Sequence, residues 1–357
     1  LISWEAKTKL DKGINNRIIL ILVILTSLLI ILFLADLCAG PVKIPVKDIF
    51  SMLVTGSSEN QIWATIFFDF RIPKAVTAVL AGAALSVAGL QMQTIFRNPL
   101  AGPYVLGISA GASLGVALLV MGFSSYLTSQ SVNYFGNWAQ IIAACIGAGL
   151  VLFLILAVSA RVQDIMTILI LGILFGSATS AIVSIIQYFS HQAMLKAFVV
   201  WSMGSLGNLS ARQLNILIPC IIAGLFFSFI FSKVLNALLL GETYARSLGV
   251  NIKFARIMLF ISTSILAGSI TAFCGPIGFV GIAVPHIVRI LMKCANHYWL
   301  IPGSMITGAI MLLVSDIVSI LPGFDTMLPV NSVTALLGIP VVIWIILQNK
   351  KITSISQ

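Results

Sequence analysis

The chemistry open to this chain is bounded by its titratable and nucleophilic residues, and they are sparse. Three histidines, His191, His286 and His297, form no H-E-x-x-H or H-x-H pattern, which argues against a zinc site. The five cysteines, Cys38, Cys145, Cys220, Cys274 and Cys294, lie far apart with no C-x-x-C pair and read as small apolar packing residues. No G-x-x-x-x-G-K-[ST] loop is present to hold a nucleotide's phosphates, so ATP binding by the chain itself is not expected. His286 follows Pro285 in VPHIVRI; a haem or metal ligand is conceivable there, and a structural histidine is the favoured reading. Membrane-embedded hydrolysis would need paired acids or a Ser/His partnership within apolar spans, and the sequence offers neither. No catalytic residue, metal or cofactor is expected in this chain.

The elements that would position any function are set by composition. Hydrophobic residues make up 59% and charged residues 8% of the 357, against roughly 25% charged in a soluble domain. A water-soluble fold cannot hide that much apolar surface. Continuous apolar runs, not alternating ones, indicate helices and exclude a β-barrel. Ten spans are expected near 18–37, 75–95, 104–123, 138–160, 166–189, 213–235, 256–273, 277–294, 300–320 and 330–348. The first run is long enough to remain as a span, and no cleavable signal peptide is apparent. The chain is read as one transmembrane domain, 1–357, with an N-terminal segment 1–17, a bundle 18–348 and a tail 349–357.

The net charge of +10 does not point to nucleic acid, because the basic residues are scattered singly. With both termini inside, fourteen of the 20 Lys and Arg fall on the inner side, as the positive-inside rule requires. The acids Asp36, Asp69, Asp164, Asp316 and Asp325 fall at span ends or in loops. Ion-coupled transport normally needs ionisable groups at mid-membrane. Their absence favours a transporter driven by a partner outside the bilayer.

An internal echo relates the second and seventh spans: Leu80-Ala81-Gly82, six residues, then Gly89 matches Leu266-Ala267-Gly268, six residues, then Gly275. Five spans separate the copies, so they run in opposite directions, as in inverted-repeat transporters. Between spans two and three lies Gly89–Ala112, with one Arg, two Pro and many small residues, read as the bend where one span ends and the next begins. Glycines such as Gly107 and Gly111 would let neighbouring helices approach closely.

Within this bend, Arg97-Asn98-Pro99-Leu100-Ala101-Gly102-Pro103 followed by LGISAGA resembles the signature of the FecCD-type permease family. The similarity runs from about Phe70 to Gln348, with GPIGFVGIAVPHIVRIL (Gly275, Gly278, Pro285, His286) as a second signature that would pack span seven on span eight. The resemblance implies the membrane subunit of a type II ATP-binding-cassette importer for cobalamin, ferric siderophores or haem, in a bacterial inner membrane. It implies an inverted repeat of spans two to five with seven to ten. It further implies pairing with a second copy, two ATPase subunits carrying ATP and Mg, and a periplasmic or lipid-anchored substrate-binding protein.

Residue roles follow from the same likeness. GETYARSLGVN matches the coupling element between spans six and seven, so Gly241, Glu242, Ala245, Arg246, Leu248 and Gly249 are expected to contact the nucleotide-binding subunit. Phe70-Arg71-Ile72-Pro73-Lys74 resembles an outer R-x-P-R element, making Arg71 and Lys74 the expected docking cations for the binding protein. Two positions depart from the family: Ile320 replaces an outer arginine and Met327 a glutamate, leaving Lys196 or Arg212 as substitutes. The inner constriction is expected near Val162–Thr167, at Ile165 and Met166, with cavity walls from spans two, five and ten. The expected function is alternating access for an iron chelate or cobalamin, with a stand-alone secondary transporter or channel as the alternative.

Overall fold

Each expected apolar run becomes a helix in the computed structural model, which describes residues 4–58, 60–122, 129–162, 164–207, 209–320 and 327–355. Asp325 and Gln163 lie outside the described residues. The order is α1 (Trp4–Cys38), α2 (Val46–Thr55), α3 (Gln61–Thr65), a π-helical turn (Ile66–Arg71), α4 (Ile72–Phe96), a 3₁₀ turn (Pro103–Leu106) and α5 (Ile108–Ala117). There follow α6 (Ser129–Ser159), α7 (Ile165–Tyr188), α8 (Gln192–Ser202), α9 (Ala211–Ile230), α10 (Ser232–Leu239) and α11 (Glu242–Ser247). The chain closes with α12 (Ile252–Cys274), α13 (Val280–Met292), α14 (His297–Ser319) and α15 (Val330–Ile355). Among the described residues, seven helices are long and apolar enough to cross a membrane; the segments Ile108–Gly122, Val280–Met292 and Val330–Trp344 are shorter apolar helices. Together they reproduce the ten expected runs in order.

One segment departs from expectation. The stretch 42–74, read as a loop, carries α2 and then a continuous apolar helix from Gln61 to Phe96. Pro73 has no N–H to return to the carbonyl four residues back, and the wider π turn over 66–71 lets the helix pass it. Short amphipathic helices of this kind leave too weak a hydropathy signal to separate from a loop.

The helix pairings bear out the inverted repeat. α4 packs on α14 as α12 packs on α6; α4 meets α13 as α12 meets α5. Within each set, α5 contacts α6 and α7, as α13 contacts α14 and α15. Exchanging spans two to five with seven to ten therefore regenerates the contact pattern.

α4 is the axis of the bundle: 83% of its apolar window is buried, against 17% for α7 and 6% for the N-terminal span. Lipid offers no hydrophobic driving force between helices, so close backbone packing must hold them. A Cβ on Gly82 would sit 2.1 Å from the Gly308 carbonyl oxygen of α14, and one on Gly89 would sit 1.8 Å from the Gly281 carbonyl oxygen of α13. The echo partner Gly268 is different, with Ile108 3.6 Å from an added Cβ. The repeated glycines share a sequence position but not a packing role. Gly275–Leu291 also differs from expectation, since α13 packs chiefly on α4, α14 and α15 and scarcely on α12.

At the centre, Gln91 Nε2 donates to Ser228 Oγ at 2.8 Å and Ser262 Oγ at 3.1 Å, while Thr263 Oγ1 donates to Gln91 Oε1 at 2.7 Å. All four side chains are buried. They tie α4, α9 and α12 with bonds that leave no polar group of the glutamine unmatched.

Candidate functional site: the cleft at the Arg97 end

α4 ends at Phe96, and Arg97 takes a left-handed conformation (φ 46°) that turns the chain out of the helix. The following bend is fixed from within: Asn98 Oδ1 accepts from Leu100 N at 2.9 Å, and His286 Nε2 donates to the Pro99 carbonyl at 2.8 Å. That bond places the ring proton on Nε2 and gives His286 the structural role. His297 is engaged through both nitrogens, with Thr94 Oγ1 and Asn236 Oδ1 each at 2.8 Å. The other signature residues are spread along the fold. Gly107 and Gly111 lie against α7 and α6, Gly275 meets the Trp201 carbonyl, Gly278 N donates to Asn331 Oδ1, and Pro285 is buried inside α13.

Opposite Arg97 stands α11. It begins at Gly241, whose φ of +118° suits glycine alone, and an added Cβ would be 3.2 Å from Arg97 Nη2. Past its end, Gly249 is left-handed (φ +81°) and Val250 N returns to the Ala245 carbonyl at 3.0 Å, a glycine-type stop. Of the six coupling residues expected here, Ala245 is fully buried and anchors the helix to the core. Glu242 is half-buried and forms an ion pair with Arg256 of α12, not with Arg246. Arg246, Leu248 and Gly249 are exposed.

Sequence reasoning named Leu248 but missed the exposed apolar residues that recur with it. Leu240, Tyr244 and Leu248 recur every fourth residue and are 69%, 49% and 59% exposed. The spacing itself was the available signal. It also missed Arg256, which is 5% exposed and was legible only as an inner-side charge.

α7 completes the cleft. Asp164 caps it, accepting from Met166 N at 3.3 Å, Thr167 N at 2.8 Å and Thr167 Oγ1 at 2.6 Å. The Thr167 hydroxyl, with the backbone bonds and the charge of Arg256, holds the Asp164 carboxyl below its ordinary pKa. Arg97, Asp164, Ile165, Met166, Gly241, Glu242, Tyr244 and Arg256 all line one cavity of about 770 Å³. The expected gate residues and two of the six expected coupling residues, Gly241 and Glu242, though far apart in sequence, thus face the same space. The cavity holds no nucleophile–base pair; its charges are suited to holding helices together and receiving a partner.

The opposite end contains the expected docking cations, and it places them unexpectedly. The π turn rotates Arg71 inward: it is 8% exposed and donates to the carbonyls of Leu37 (2.8 Å), Cys38 (3.2 Å) and Val42. Its guanidinium therefore closes the end of α1 and does not face outward in this conformation. Lys74 Nζ lies 2.9 Å from Asp316 Oδ2 and 3.7 Å from Met327 Sδ, so the departure at Met327 sits directly beside a docking cation.

A second cavity, about 750 Å³, opens between α5 and α7 and is lined by Ser109, Ser113, Ser177, Ser180, Ser184 and Gln187 among others, with no charged side chain. Helices α5 and α7 form its walls, while α4 is buried at the bundle axis.

The FecCD transport family matches residues 28–348. The hemin transport system permease protein HmuU of Yersinia pestis is 35% identical over 338 residues, covering 93% of this chain and 96% of its own length. The vitamin B12 import system permease protein BtuC of Shigella boydii is 34% identical over 330 residues, covering 92% and 95%. A solved chain of a metal-chelate type ABC transporter in an inward-facing conformation superposes with a TM-score of 0.79 at 28% identity, over 92% of this chain and 99% of that one.

Proposed function

This chain belongs to the FecCD transport family, and from that membership we propose that it works as one of two permease copies in a bacterial inner-membrane importer, its Arg97 end and both termini in the cytoplasm. Two ATPase subunits, which carry the ATP and Mg, grip α11 through Tyr244, Arg246 and Leu248. A periplasmic or lipid-anchored binding protein delivers a metal chelate, either an iron siderophore, haem or cobalamin, to the opposite end. There Lys74 is the more exposed of the two expected docking cations, and Arg71 serves the surface indirectly by fixing the 37–42 backbone.

The observation that carries the reading is the shared cleft. An exposed coupling helix and the start of α7 line one cavity, so a push on α11 reaches the helix that also walls the uncharged, serine-lined cavity. Transport on this view is a two-state rearrangement of packed helices, with no covalent step in the chain. Ile165 and Met166 form the inner gate, and the uncharged wall lets a chelate pass without binding too tightly to leave. The poorly buried outer face of α7 is left for the second copy or lipid.

Assembly tests the proposal. The purified chain mixed with its cognate ATPase subunit should form a complex of two copies of each by mass measurement. Loss of that complex on Tyr244→Asp with Leu248→Asp is the expected result; a complex unaffected by both changes would remove α11 as the docking element.

A further inference from the structure

Arg256 is the feature of the cleft that packing alone does not explain. A nearly buried arginine on a membrane helix is costly unless its charge is matched or used. Here it is ion-paired with Glu242 on α11, and it shares a cavity wall with Asp164, the cap of α7. All three residues line the same cavity. α11 rests on few buried side chains, with Ala245 its buried residue, and α7 is among the least buried spans. Both lie outside the α4–α12–α14 core, and α12 is fixed in that core through Ser262 and Thr263.

We propose that Arg256 is a positioning residue that couples these two elements, transmitting displacement of the coupling helix through Glu242 to the Asp164-capped start of α7, where the gate residues Ile165 and Met166 begin. This rests on the importer reading above. When α11 shifts, Glu242 draws the guanidinium with it, and the attraction that steadies the α7 cap changes. Gate position is thus tied to the state of the ATPase by charge at the Arg97 end. The core need not deform.

The test uses the full chain assembled with its ATPase and binding protein in proteoliposomes. ATP hydrolysis and accumulation of a ferric siderophore, haemin or cyanocobalamin, whichever the unaltered complex takes up, are measured on the same sample. Arg256→Gln should lower substrate moved per ATP by about fivefold or more, the lower range of an allosteric coupling. The exchange Glu242→Arg with Arg256→Glu should recover much of that loss, and Arg256→Lys should fall between. Asp164→Asn keeps a side-chain acceptor for the cap but removes the charge, so it should lower the same ratio without loss of assembled complex. A merely structural arginine would reduce the yield of complex while hydrolysis and uptake fall together; an unchanged ratio in Arg256→Gln or, should that variant not assemble, in Asp164→Asn would overturn the proposal. If the unaltered complex shows no ATP-driven uptake, it is the importer reading that fails.

Discussion

The matched glycines of the internal echo give the sharpest packing prediction. Alanine at Gly82 puts its Cβ 2.1 Å from the Gly308 carbonyl oxygen and 2.6 Å from Ala309 N, both backbone atoms that cannot rotate away. Bringing the first distance to an ordinary 3.4 Å requires α4 and α14 to separate by about 1.3 Å at their closest approach. Overpacking of this kind costs about 1–3 kcal/mol, and the α4–α14 pairing lies at the centre of the bundle, so the upper part of that range is expected. Gly268→Ala meets only Ile108 Cγ2 at 3.6 Å, an ordinary contact, and should be near neutral or slightly stabilising through its better helix propensity. The assay is thermal unfolding of the detergent-purified protein by intrinsic fluorescence, with size-exclusion profiles as a check. Gly82→Ala should unfold several degrees below the unaltered protein and Gly268→Ala at or above it. Equal shifts for the two would refute the claim that closeness of backbones, not membership of the repeat, decides the cost.

Three other outcomes follow from contacts already described. Gln91→Leu removes three interhelical hydrogen bonds, while the Ser228 and Ser262 hydroxyls keep the Gly224 carbonyl as acceptor, and should cost about 1–2 kcal/mol, since such bonds in membranes average about 0.6 kcal/mol each; thermal unfolding reads it directly. Lys74→Met leaves the fully buried Asp316 carboxylate without its ion-pair partner and should destabilise by about 3–5 kcal/mol, whereas Lys74→Met with Asp316→Leu should recover most of the loss in the same assay. Tyr244→Ala should weaken binding of the ATPase subunit by about tenfold, as for an aromatic anchor at an interface, measured by titration of the labelled subunit into detergent-solubilised permease, while leaving the unfolding temperature within a degree or so because the ring is half exposed.

The spans were legible because lipid demands long apolar helices, and a hydropathy signal that strong leaves its order intact even where helix ends shift by a few residues. Asp164 and Asn296 cap their helices with the short polar side chains that favour such positions. The placement of Arg71 was not legible. Its outward reading came from family likeness, whereas the π turn ahead of Pro73 aims it at the carbonyls of residues 37, 38 and 42. Arg256 was hidden for another reason: Glu242 lies fourteen residues before it, in a different helix, so no local spacing joins them. The segment Gly241–Gly249 was singled out through family likeness, which did not separate its buried residue, Ala245, from its exposed face. The small residues of the echo were visible as a pattern, yet their roles depend on what each one faces, which only the packed bundle determines.

The central claim is that this chain is a gate moved by an ATPase bound at its Arg97 end. The direct measurement is accumulation of a labelled chelate by proteoliposomes holding the chain with its ATPase and binding protein, with ATP supplied only on the ATPase side. Uptake should require that ATP and should be absent when the chain alone is given a proton or sodium gradient. Concentrative uptake by the isolated chain under such a gradient would contradict the account.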